Sequence, residues 1–193
     1  MSEVALSRVV PGPWEDESAL VARARNGDRE AADVLVRRYL RDVYELAVRL
    51  LNDHDLAQDV AQEAFISALK GLKRFRGEAS FRTWLMRITV NAARTAGRSL
   101  GRRREVAIEA AADIDDGERD PAVRAVQLNE AARADRELAR LPEKQRLAVM
   151  LRLKQGLSYP EVAVALDCSE GAARVNYHLG IKRLREALNE SEL

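Results

Sequence analysis

One cysteine and two histidines are spread over 193 residues, and each scarcity excludes something. Cys168 has no second thiol to pair with, so no disulfide framework supports the fold and a reducing compartment suits the chain. His54 and His178 lie far apart in sequence, so neither a zinc site nor a cofactor is expected. No apolar run approaches the roughly 18 residues that a membrane-spanning helix needs, and the N-terminus lacks a basic-then-apolar signal pattern. We therefore expect no membrane insertion and a cytoplasmic protein. Runs of alternating β-branched residues are missing, which argues against a sheet. Missing too are a glycine-rich phosphate loop, a nucleophile motif and a metal cluster, so nothing points to an enzyme.

What is present favours helix. Leu, Ala, Arg and Glu dominate, and 47% of residues are apolar against only 5% aromatic, enough for one or two small cores. The expected architecture is all-α: two small helical domains joined by a flexible linker. The net charge of +1 says little, because it averages opposite local fields. From Lys70 to Arg104 there are eleven Lys and Arg against one acid, Glu78, whereas Asp113–Asp120 carries five acids and one Arg.

Taken in order, residues 1–16 contain Pro11, Gly12 and Pro13 and read as a flexible leader. The first domain is expected over 17–98. Glu17–Asn26 forms a short helix ended by Gly27, and Asp28 caps a long one to about Leu51. Asn52, Asp53 and His54 make a turn, with His54 a turn or cap residue. After Arg98 the apolar pattern decays, so 99–122 reads as a linker and 123–193 as the second domain. There Pro142 separates two helices, and Ser158 and Glu161 have capping-box spacing. Asp167, Cys168 and Ser169 make a turn in which Cys168 is expected to be buried. The last helix places Ala173, Tyr177, Gly180, Leu184 and Leu188 inward, leaving Arg174, Val175, His178 and Lys182 outward, the pattern of a helix-turn-helix.

The centre of the chain is Asp55–Arg98. In its first helix Val60, Ala64, Ala68, Phe65, Leu69 and Leu72 form the apolar stripe, while Asp55, Asp59 and Gln62 share the polar face. Lys73–Ser80 is a basic loop, with Ser80 placed to cap the next helix. There Phe81, Trp84, Leu85, Ile88 and Ala92 point inward. Arg87, Asn91, Arg94 and Arg98, spaced four, three and four apart, line one exposed face with Trp84 at its edge. A one-signed row of guanidinium groups beside aromatics suits a nucleic-acid backbone and unpaired bases.

Asp55-x-x-x-Asp59-x-x-Gln62-Glu63-x-Phe65, then Phe75-Arg76, then Phe81-x-Thr83-Trp84-Leu85-x-x-Ile88-x-x-Asn91-x-x-Arg94 resemble region 2 of a bacterial sigma factor of the extracytoplasmic function class. Leu141–Glu186 is similar to region 4 of the same class. The resemblance implies that Asp55, Asp59, Gln62 and Glu63 meet core RNA polymerase. It further implies that Lys73, Arg74, Phe75, Arg76, Trp84, Arg87, Asn91, Arg94 and Arg98 hold a melted −10 promoter element. Arg174, Val175, Asn176, His178 and Lys182 would read the −35 duplex, and a separate anti-sigma factor is an expected partner. Asp167 stands where the family usually has Gly, and Asn176 and Leu179 where basic residues are common.

Two other functions fit parts of this pattern. A decoy that titrates an anti-sigma factor would keep the helical surface but has no use for the Arg87–Arg98 row. A one-component helix-turn-helix regulator would need an effector or dimerisation domain, and 17–98 resembles neither.

Overall fold

The structure is a computed structural model that describes residues 16–108 and 125–189, with side chains described up to 99 and from 133. Among these residues there are eight α-helices and no strand: α1 Glu17–Arg25, α2 Arg29–Leu51, α3 His54–Gly71, α4 Phe81–Ile108, α5 Ala125–Arg140, α6 Glu143–Val149, α7 Tyr159–Leu166 and α8 Glu170–Asn189. A 3₁₀ turn, Leu72–Arg74, follows α3, and a π-helical turn, Met150–Lys154, follows α6. No described helix is long and apolar enough to cross a membrane. The leader before Asp16, including Trp14, and the acidic stretch 109–124 lie outside the described residues.

The helix starts follow local chemistry. Asp28 accepts from the Ala31 amide at 3.2 Å and Asp53 from Leu56 at 2.9 Å, so each capping carboxylate satisfies an orphan N–H. Asn52 closes α2 in the left-handed region, at φ +51°. Ser80 caps α4 through the Thr83 amide at 3.0 Å. A second group serves that helix start: the Glu17 carboxylate, from α1, accepts the Phe81 amide at 3.0 Å and also takes the Tyr39 hydroxyl. Burial, and then this carboxylate, push the Tyr39 phenol well above its ordinary pKa.

Helices α1–α4 enclose Leu20, Leu35, Val43, Leu46, Phe81 and Leu85, and α5–α8 enclose Leu147, Met150, Leu151, Leu157 and Val162. These residues belong to one continuous apolar cluster, because α7 packs against α4. The second domain closes on Gly180, where a Cβ would lie 2.6 Å from Val149 Cγ2 and 3.2 Å from the Gln145 carbonyl.

Three expectations change. The helix expected to end near Arg98 continues to Ile108, since good helix formers need no apolar stripe to propagate. Leu69, expected inside, is 38% exposed. Cys168 is exposed rather than buried, because the turn projects it outward. Partial desolvation of the sulfur still raises its pKa, with Lys144 opposing and Asp167 reinforcing the shift.

Candidate nucleic-acid interface

On α3, Asp55, Asp59, Gln62 and Glu63 are all exposed, as the 3.6-residue period requires. The same face continues C-terminally through two side chains that sequence reasoning missed or misplaced: Ile66, 37% exposed, and Leu69. From Asp59 the spacings are three to Gln62, seven to Ile66 and ten to Leu69, so acids at one end grade into exposed aliphatics at the other. The signal was present in that spacing, but periodicity alone cannot tell a core-facing from a solvent-exposed aliphatic. Beside this face Asp59 and Glu63 border a groove of about 580 Å³ between α3 and α4, floored by Val60, Ile88 and Ala92.

The loop after α3 turns through Gly77, at φ +73°, a conformation that favours glycine. Lys73, Arg74 and Arg76 are exposed, and Arg76 lies 3.8 Å from Glu78. Phe75 folds back onto Trp84, with ring centroids 4.9 Å apart, and Phe81 meets both rings. Gly71 makes room for Trp84, whose ring lies 3.2 Å from where a Cβ would be. Arg74, Phe75, Arg76, Trp84, Arg87 and, from α7, Val164 surround a cavity of about 170 Å³.

The Arg row on α4 is not the open face that spacing implied. Asn91 and Arg98 are exposed, but Arg87 and Arg94 take carboxylates from the second domain. Arg87 pairs with Asp167 at 3.1 Å and Arg94 with Glu143 at 2.6 Å. Around them, Arg82 binds Asp42 at 2.9 Å and Gln155 at 3.1 Å, and Arg49 reaches Asp135 at 3.2 Å. Thr83, fully buried, donates to Glu161 at 3.0 Å. Glu161 thereby serves two helices, since it also closes the capping box on Ser158. Partial burial opposes its charge, yet the hydrogen bonds from Ser158, then Thr83 and nearby Arg82, hold its carboxyl below the ordinary glutamate range. Arg94 and Arg98 also line an interdomain cavity of about 600 Å³ with Arg146, whose Nε is buried without a protein partner.

In the second domain the turn between α7 and α8 rests on Asp167, at φ +55°, which an aspartate tolerates. Ser169 caps α8 through the Ala172 amide at 3.2 Å. Arg174, Val175, His178 and Lys182 are exposed, as expected. Asn176 is half-buried and its amide donates to the Ala172 carbonyl at 2.8 Å, so it is turned inward along its own helix. Arg174 lies 4.4 Å above the Tyr159 ring. Among the described residues no group of His, Cys, Asp and Glu is arranged to hold a metal.

Two helical modules, one with a cationic aromatic loop and one ending in a helix-turn-helix, define a nucleic-acid-binding protein. The model of Sigma-70 region 2 matches residues 35–103, and that of Sigma-70 region 4 matches 131–184. RNA polymerase sigma-H factor of Pseudomonas aeruginosa is 37% identical over 92% of this chain and 94% of its own. ECF RNA polymerase sigma-E factor of Escherichia coli K12 is 36% identical over 90% and 92%. Among solved structures, CnrH in complex with the cytosolic domain of CnrY matches with a TM-score of 0.70 and 26% identity, over 90% of this chain and 97% of that one. The chain belongs to the sigma-70 family, as a sigma factor of the extracytoplasmic function class. Its work is promoter-specific initiation by RNA polymerase.

Proposed function

We propose that the three surfaces divide this work as follows. The Asp55, Asp59, Gln62, Glu63 face, extended by Ile66 and Leu69, docks on core polymerase. The Lys73–Ser80 loop and the Trp84–Arg98 side of α4 take the melted −10 strand. The outward face of α8 enters the −35 major groove. The Phe75–Trp84 pair beside a small cavity ringed by Arg74, Arg76 and Arg87 is the observation that carries the reading. Aromatic faces hold unstacked bases at about 1–3 kcal/mol each, and guanidinium groups hold the phosphates between them. Unpairing a base costs a few kcal/mol, which these contacts offset.

The arrangement of the two domains supports a further part of this reading. Asp167 and Glu143 occupy the guanidinium groups that phosphates would need, so the chain must open at α4·α7 before it takes promoter DNA. Core polymerase drives that opening by binding both domains. A protein partner does the reverse. CnrH was solved with the cytosolic domain of CnrY, and an anti-sigma factor bound to this chain would hold it closed. The setting for all these steps is the cytoplasm.

Co-elution with bacterial core polymerase followed by run-off transcription from a promoter library tests the proposal. Asp59→Ala should lose core binding, whereas Arg94→Ala should keep it and lose open complexes. Full open-complex formation by Arg94→Ala at physiological salt would remove α4 from the DNA path.

A further inference from the structure

The outward face of α8 carries two side chains with no aqueous rationale. Val175 is 57% exposed and Leu179 45%, and at i and i+4 they lie side by side, one turn apart. The helix has a core of its own on the other side, where Ala173 and Gly180 are buried, so neither aliphatic is needed there. Their polar neighbours are partly committed within the chain. Arg174 holds Glu170 at 2.8 Å and covers Tyr159, His178 packs against the Tyr159 and Tyr177 rings, and Lys182 sits 3.8 Å from Glu186. Exposed on the middle of this helix, between Arg174 and Lys182, is therefore an aliphatic pair.

A major groove offers few partners for such a pair. Base edges there present hydrogen-bond donors and acceptors, and the one apolar group is the C5 methyl of thymine. We infer that Val175 and Leu179 read thymine methyl groups in the −35 element. Four residues of helix rise about 6 Å and successive bases about 3.4 Å, so the two thymines fall within about two base steps of each other, on either strand. This rests on α8 being the −35 reader. It adds which base chemistry is read there, and by Leu179 as well as Val175.

The test removes only the methyl. Duplexes selected from a randomised −35 library by the full chain bound to core polymerase are remade with deoxyuridine in place of each thymine in turn. Binding should weaken about fourfold at one or two neighbouring positions, the effect of exposing one methyl-sized group. Leu179→Ala should remove the sensitivity at one of them and Val175→Ala at the other. Both residues are exposed, and an unchanged melting temperature checks that the variants fold. A selected element without thymines in that window, uracil swaps without effect, or variants that keep full methyl sensitivity would each overturn the inference. A library that yields no −35 element at all would instead overturn the assignment of α8, and the inference with it.

Discussion

The Glu143 carboxylate lies 2.6 Å from the Arg94 guanidinium, across a gap of 49 residues in sequence and between two domains. Together with Asp167 on Arg87 it puts acids where a phosphate backbone is proposed to run. Each pair is partly exposed and so contributes at most about 1 kcal/mol. Replacing both acids, Glu143→Gln with Asp167→Asn, should therefore raise the affinity of the free chain for single-stranded DNA by severalfold at low salt. Fluorescence anisotropy measures it, and the gain should shrink as salt rises and screens the pairs. An unchanged affinity would mean that the acids do not compete with DNA.

Ile66 is a prediction of a different kind, because it is 37% exposed and lies outside the buried core. Ile66→Ser should leave thermal stability within about 0.5 kcal/mol while weakening core binding by roughly tenfold, as for a central interface aliphatic. If Asp59→Ala weakens docking and Ile66→Ser does not, the interface ends before the second half of α3.

Gly180→Ala tests the crossing of α6 and α8. The added methyl meets Val149 and the Gln145 carbonyl at distances that require a shift, so the second domain should lose about 1–3 kcal/mol. Urea denaturation followed on that domain would report it. Docking on core through α3 should persist, since that face lies in the other domain.

Glu161 makes a contact that acid should weaken. Its folded pKa is lowered, so its contribution is fully present above the unfolded value near 4.5 and is lost as pH falls through the lower folded value. The Ser158 amide and the Thr83 hydroxyl should then change together in an NMR titration. Glu161→Gln should abolish that coupled transition. Independent midpoints would separate the helix cap from the interdomain bond.

Much of this was legible from residue spacing, for reasons that are local. Asp28, Ser80 and Ser158 begin helices because a short polar side chain reaches an orphan amide wherever it stands at that position. Asp53, read only as a turn residue, proves to be the cap of α3, and His54, read as turn or cap, is that helix's first residue. The exposed acids of α3 follow from a period of 3.6. The features that were not legible depend on distant chain. Arg87 and Arg94 read as solvent-facing because their partners come from 80 and 49 residues away. Leu69 reads as core because an aliphatic on a helix usually is. Cys168 reads as buried from residue type, whereas a turn orients it by backbone geometry. Glu17 gave no sign in sequence that it begins a helix 64 residues later.

Asp167 performs two tasks that favour different residues. As the left-handed link between α7 and α8, its position would be easier for glycine, which pays no steric penalty at φ +55°. As the partner of Arg87, the position needs a carboxylate. A glycine there would ease the turn and release the arginine in a single substitution, leaving a chain more readily folded and less restrained. The aspartate thus gives up a little backbone ease and gains an ion pair that ties the reading head's turn to α4 of the other domain.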